Sequence, residues 1–151
     1  MLGVYVHIPF CRHKCLYCDF PSYSGLDCYM AGYVPALCRE IAATPYAGKP
    51  VDTIYIGGGT PSILSAPSME AIVRTLRQTF AVTGDAEITI EANPESLDRE
   101  KAEAYVACGI NRLSLGIQSF SYEMLSFLGR IHTAKEGEQA LDAAWKAGIR
   151  N

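Results

Sequence analysis

The feature that most constrains this fold is a regular alternation of strand-like and helix-like segments. "GVYVHI" (3–8), "VDTIYI" (51–56), "EITIE" (87–91) and "RLSLGI" (112–117) alternate or run apolar as strands do. Helical patterns follow each of them. In the first, Leu26, Met30, Tyr33, Val34, Leu37 and Ile41 recur at spacings of three and four; Pro35 predicts a kink, or a start just before it. The second carries Met69, Ile72, Val73, Leu76 and Phe80 behind the starter "SAPS". The third begins after Asp98 as N-cap and ends at Gly109; the fourth opens on a Thr133/Glu136 capping box and ends at Gly148. The order β-α-β-α-β-α-β-α predicts an α/β fold of parallel strands with right-handed crossovers.

The end of the chain echoes an earlier step. "ACGINR" (107–112) closes a helix and launches a strand, and "KAGIRN" (146–151) repeats that opening. A further strand is therefore expected from residue 150, which suggests the front part of a larger barrel. An unpaired strand at 112–117 would otherwise leave an open sheet edge.

Binding sites of parallel α/β sheets and barrels form at the C-terminal ends of the strands. Every unusual stretch here falls at such an end: the cysteine loop, "GGGTPS" (57–62), Glu91 in "EANPES", and Gln118 in "GIQSF". Within the strands, Tyr5 and His7 oppose Val4, Val6 and Ile8; Glu87, Thr89 and Glu91 oppose Ile88 and Ile90. Ser114, Gly116 and Gln118 oppose Leu113, Leu115 and Ile117. A small or polar face inside a barrel suggests a cavity for something polar, whereas a solvated face suits an antiparallel sheet better.

"FCRHKCLYCDF" (10–20) carries Cys11, Cys15 and Cys18 in the spacing C-x3-C-x2-C. Zinc modules normally use two separated ligand pairs; here His7 or His13 would have to complete a three-cysteine site. Thiolates also suit iron–sulfur clusters, and a cubane held by three would leave one iron open to an outside ligand. Cys28, Cys38 and Cys108 lie in or near helical patterns and read as small hydrophobes. "GGGTPS" lacks the lysine of a P-loop and the spacing of a dinucleotide fingerprint. It admits either a tight turn or close backbone approach to a ligand. Glu91 reads alone as a rim carboxylate, and Arg130 and His132 in "LGRIHT" as a solvated loop.

Composition narrows the classes. With 13 basic and 16 acidic residues and a net charge of −3, no basic field invites nucleic acid or an anionic membrane. No apolar run approaches the roughly 18 residues of a membrane span, and no signal-like stretch opens the chain. A cytoplasmic location is expected, where clustered cysteines read as metal ligands rather than disulfides.

Together, "CRHKCLYC", "GGGTPS", "EANPES", "GINRLSLGIQSF" and "LGRIHT" closely resemble the radical S-adenosylmethionine (SAM) superfamily. Within it, they resemble the coproporphyrinogen III dehydrogenase (oxygen-independent oxidase) group and its heme-chaperone (HemW-like) relatives. The resemblance covers essentially all 151 residues. It implies a partial (βα) barrel of the radical SAM type, with residues 1–151 as the N-terminal part of the core domain, stopping after four βα units. Later strands and a C-terminal region would complete the SAM and porphyrin sites. Cys11, Cys15 and Cys18 would ligate a 4Fe–4S cluster whose fourth iron binds SAM. Tyr17 would lie near the adenine; Gly57, Gly58, Gly59 and Thr60 would contact the methionyl amino end. Glu91 and Gln118 match SAM-contacting polar residues, Arg130 would pair with the carboxylate, and Tyr5 and His7 match the "Y-x-H-I-P-F-C" lead-in beside the cluster. Such enzymes cleave SAM reductively to a 5′-deoxyadenosyl radical that takes hydrogen from a substrate.

The implied partners are SAM, heme or a porphyrin, an electron donor such as a flavodoxin, and heme-accepting proteins. One departure separates the branches. The dehydrogenase carries a further cysteine two positions after the third, where this chain has Phe20. "CDF" resembles the chaperone branch. The rivals are the dehydrogenase itself and a zinc-stabilised, non-enzymatic domain.

Overall fold

A computed structural model describes all of residues 1–151. Four parallel strands form the main sheet in the order β1 (Leu2–Ile8), β4 (Pro50–Gly58), β5 (Ala81–Ala92), β6 (Arg112–Leu115). A two-stranded parallel ribbon, β2 (Phe10–Cys11) and β3 (Tyr23–Ser24), brackets the cysteine loop. The helices are α1 (Met30–Ala42), α2 (Ala66–Thr79), α3 (Arg99–Ala107), α4 (Tyr122–Phe127) and α5 (Ala134–Ala147). The expected α/β order and the parallel sheet are present, as a partial barrel.

The helix boundaries follow from capping chemistry. Ser65 accepts from the Ser68 N–H, with Pro67 in the first turn of α2. Asp98 accepts from the Lys101 N–H at 2.8 Å, and Thr133 and Glu136 make the reciprocal box that opens α5. Gly109 and Gly148 are left-handed after α3 and α5. Beyond each, Ile110 and Ile149 donate back to Tyr105 and Ala144, closing Schellman turns.

The helices cover one face of the sheet, packing side by side in the order α1, α2, α3, α5. Val6, Ile8, Ile54, Ile56, Ile88 and Ile90 bury there against Met69, Ile72, Leu76, Ala102 and Tyr105. On the other face, parallel register aligns Tyr5 with Tyr55, Tyr55 with Thr89, and Thr89 with Arg112; Glu91 lies beside Ser114. The strand faces therefore divide as the alternation predicts.

Several expectations need correction. The first helix does not start just before Pro35: α1 begins at Met30 and runs through the proline. β5 begins at Ala81, earlier than expected, because Ala81 and Val82 pair with Pro50 and Val51 before a bulge resets the register to Thr53–Glu87. β6 ends at Leu115, since the Gly116 N–H bonds Ala92 and Ile117 leaves the ladder. The six-residue α4, capped by Ser121, was not anticipated. Cys38 and Cys108 pack against the core, but Cys28 is exposed and is not a core hydrophobe. At the open edge of β6, the Leu113 N–H donates to the Asn151 carbonyl at 2.9 Å, where the sequence predicts a strand to begin.

Candidate functional site

One polar cavity of about 190 Å³ opens at the C-terminal ends of the four strands. Cys11, Cys15, Tyr17 and Cys18 from the cysteine loop line it, with Gly58 ending β4 and Gly59 and Thr60 just after it, Glu91 at the end of β5, and Gln118 and Arg130 beyond β6. Ten of the thirteen expected residues thus share one cavity; Tyr5, His7 and Gly57 lie outside its lining.

The cysteine loop and the glycine turn are zipped together. The Gly59 N–H donates to Ile8 O and the Thr60 N–H to Phe10 O, both at 2.8 Å. This proximity requires glycine. A Cβ on Gly59 would sit 2.6 Å from Phe10 O and 2.9 Å from Cys11 Sγ; one on Gly58, at φ +116°, would strike the His7 ring. Thr60 is buried and its hydroxyl donates to Cys11 Sγ at 3.5 Å. All three loop cysteines are free thiols, with Cys11 buried and Cys15 and Cys18 half-buried.

Glu91 is half-buried and held at both oxygens. Tyr55 Oη donates to Oε1 at 2.7 Å and the Gly58 N–H to Oε2 at 3.0 Å. Burial, then the bond to Glu91, pushes the Tyr55 phenol above its usual range. The Tyr17 phenol is also raised, first by burial and then by the neighbouring Cys15 thiol, with Arg130 opposing. Gln118 has φ +65° and is the one non-glycine residue in the left-handed region; such a backbone costs on the order of 1 kcal/mol and concentrates at functional sites.

His7 is a brace rather than a lining group. Its Nδ1 pairs with Tyr5 Oη at 3.0 Å and its Nε2 with Pro21 O at 2.9 Å. Arg130 reaches across from the loop between α4 and α5. It donates to Cys15 Sγ (3.3 Å), Asn93 Oδ1 (2.8 Å) and Gly116 O (2.7 Å), while its buried Nε has no partner. His132, fully buried and facing Glu95, fixes the loop by pairing Nε2 with Ile117 O at 3.0 Å.

His13, weighed as a zinc ligand, and Ser114, on the polar strand face, also line the cavity; sequence reasoning missed Asn93, Lys14 and Ser22. For Asn93 a signal existed. It follows Glu91 by two positions in "EANP", at a strand end and before a proline that restricts its backbone.

A thiol-bearing cavity on the C-terminal rim of a parallel sheet lies where α/β proteins place their ligand sites. The sequence profile of the Radical SAM superfamily matches residues 5–151, and the chain belongs to that superfamily. It is 43% identical over 155 residues to the heme chaperone HemW of Synechocystis sp., covering 99% of this chain and 38% of that protein. To the heme chaperone HemW of Escherichia coli it is 42% identical over 156 residues, covering 99% of this chain and 40% of that one. Among solved structures it superposes on the coproporphyrinogen III oxidase HemN of Escherichia coli, described as a radical SAM enzyme. The TM-score is 0.89 at 31% identity, covering 97% of this chain and 35% of that chain. The chain spans about two fifths of the length of these curated relatives.

Membership implies a 4Fe–4S cluster and SAM, and the residues present fit such a pair. Three unpaired thiols face one cavity. A glycine cradle that any Cβ would fill adjoins the first thiol, and a buried guanidinium nitrogen is left without a partner.

Proposed function

We propose that residues 1–151 form the N-terminal part of a radical SAM core domain, in a protein of the heme-chaperone type that binds heme and passes it to acceptor proteins. The observation that carries this reading is the single cavity gathering three thiols, the glycine turn, Glu91, Gln118 and Arg130. In this assignment Cys11, Cys15 and Cys18 hold the cluster, and the SAM site is formed by Tyr17, Gly58, Gly59, Thr60, Glu91, Gln118 and Arg130, with Gly57 outside the lining but packed closely against Glu91. Tyr5 and His7 brace the glycine turn from behind. When bound, the cluster and SAM supply one-electron reductive cleavage of the sulfonium. This chain's own residues orient the ligand: Glu91, held at both oxygens, presents a fixed acceptor, and Arg130 a fixed positive charge.

Phe20 favours the chaperone over the oxidase. It stands at the cavity rim, 60% exposed, and offers no ligand where the dehydrogenase pattern has a cysteine. The HemW names of the similar proteins point the same way. One observation speaks against His7 as the fourth ligand of a zinc site: both its nitrogens are engaged, by Tyr5 and by Pro21. No helix is long and apolar enough to cross a membrane. We assign the protein to the cytoplasm, with a flavodoxin-like reductant as electron donor.

The test is anaerobic iron–sulfide reconstitution of the full-length protein, followed by EPR with and without SAM, then heme titration and a coproporphyrinogen assay. The expected result is a 4Fe–4S signal altered by SAM, stoichiometric heme binding and no decarboxylation. Vinyl-group formation would make the protein an oxidase. A colourless product holding one tight zinc would contradict the reading altogether.

A further inference from the structure

Two of the cavity's thiols are joined by a chain of three side chains, with Asn93 at its centre. Asn93 Nδ2 donates to Thr60 Oγ1 at 3.2 Å, and Thr60 Oγ1 donates to Cys11 Sγ at 3.5 Å. On the other side, Arg130 Nη2 donates to Asn93 Oδ1 at 2.8 Å, and its Nη1 donates to Cys15 Sγ at 3.3 Å. The direction of each bond follows from donor chemistry. A guanidinium only donates, so the amide oxygen faces Arg130 and the amide NH₂ faces Thr60. The Thr60 hydroxyl, accepting from that amide, has its one hydrogen left for Cys11.

Asn93 is itself held rigidly. Its N–H donates to Ser62 Oγ at 3.2 Å, and its carbonyl accepts from the Ser96 N–H and hydroxyl, both at 3.0 Å. Pro94 confines its backbone to the extended region, at φ −105° and ψ 147°. Gly116 closes the remaining side, since a Cβ there would lie 2.7 Å from Asn93 Oδ1. A side chain fixed from so many directions, and touching neither thiol, is suited to fixing the donors that do.

We propose that Asn93 is a positioning residue: through Thr60 and Arg130 it directs one hydrogen-bond donor at Cys11 Sγ and another at Cys15 Sγ, and thereby raises the reduction potential of the cluster those thiols hold. This rests on the assignment of Cys11, Cys15 and Cys18 as cluster ligands. Hydrogen bonds to a cluster's sulfurs stabilise the added electron and shift its potential upward.

The test is an EPR-monitored redox titration of the reconstituted full-length protein, without SAM or heme, alongside iron content and thermal unfolding. Asn93→Asp places an acceptor against Thr60, so the hydroxyl hydrogen turns away from Cys11; the midpoint is expected to fall below wild type. Thr60→Val deletes the same donor and is expected to lower it too, whereas Thr60→Ser restores the wild-type value. In the double variant Asn93→Asp/Thr60→Val the shift should be smaller than the sum of the two single shifts. A full cluster with an unchanged midpoint in Asn93→Asp, or strictly additive shifts, would overturn the proposal. Should Asn93→Asp lose its iron, the threonine pair decides, and equal midpoints for Val and Ser overturn it. Failure of the underlying assignment shows separately, as a wild-type protein that assembles no cluster.

Discussion

The two faces of the main sheet use alternate residues of the same strands and are held by different physics. Towards the helices, Ile54, Ile56, Ile88 and Ile90 are fully enclosed by other apolar side chains. On the opposite face, Tyr5 is 56% exposed and stacks on Tyr55, Tyr55 bonds Glu91, and Arg112 reaches Thr89 at 3.3 Å and Glu87 at 3.6 Å. Packing fixes the first face and hydrogen bonds fix the second. A parallel sheet is normally covered on both sides; here the helices cover one face, and the other is polar, partly open and leads to the cavity at the strand ends.

That division can be broken most strongly from the helix side. Ile90→Ala leaves a cavity in the centre of the core and should cost about 2–5 kcal/mol by denaturant unfolding, with the cavity at the strand ends lost as a consequence. An effect confined to stability, with cluster assembly untouched at full folding, would show the faces to be less coupled than shared strands imply. Next comes Gly59→Ala, which forces a Cβ against Phe10 O and Cys11 Sγ. It should cost about 1–3 kcal/mol and sharply reduce iron retained on reconstitution. Gly84→Ala, with nothing within 4 Å, should change neither.

Two tyrosines sharpen the comparison further. Tyr55→Phe removes the donor to Glu91 on the polar face and should cost about 1.5 kcal/mol, together with weaker SAM binding by equilibrium titration. Tyr105→Phe on the helix side should be neutral or mildly stabilising near pH 7, because the Tyr105 hydroxyl is buried without a partner. The advantage of the variant should then grow at alkaline pH. Burial raises the Tyr105 phenol well above its usual value. Stability is therefore full below the unfolded value of about 10 and is lost as pH rises towards the folded one. Tyr105→Phe should flatten that loss in a pH series of unfolding curves. A wild-type slope in the variant would assign the alkaline limb to other tyrosines.

Elements governed by local chemistry were legible in the sequence. The Asp98 cap, the Thr133/Glu136 box and the left-handed Gly109 and Gly148 each depend on residues within a few positions. The strand faces were legible because side-chain alternation is a property of one strand. What was not legible depends on distant partners. α4 is too short to show a helical period and is anchored from afar, its following Leu128 carbonyl accepting from the Leu16 N–H. The β5 bulge is set by pairing with β4. Pro35 is tolerated because α1 packs against its neighbours. Of the site, the cysteines, glycines, Glu91, Gln118 and Arg130 stood out by motif. Asn93 did not, because its importance lies in joining Thr60 to Arg130 across 70 residues of chain, between positions 60 and 130.

The central claim is that the polar rim brings a cluster on Cys11, Cys15 and Cys18 together with SAM. The most direct measurement is pulsed ENDOR on the reduced, reconstituted full-length protein given SAM labelled with ¹⁵N at its amino group. The account predicts a resolved ¹⁵N coupling to the cluster in the wild type, lost when Arg130 and Glu91 are replaced together although the cluster remains. A reduced 4Fe–4S signal with no ¹⁵N coupling at saturating SAM would contradict it.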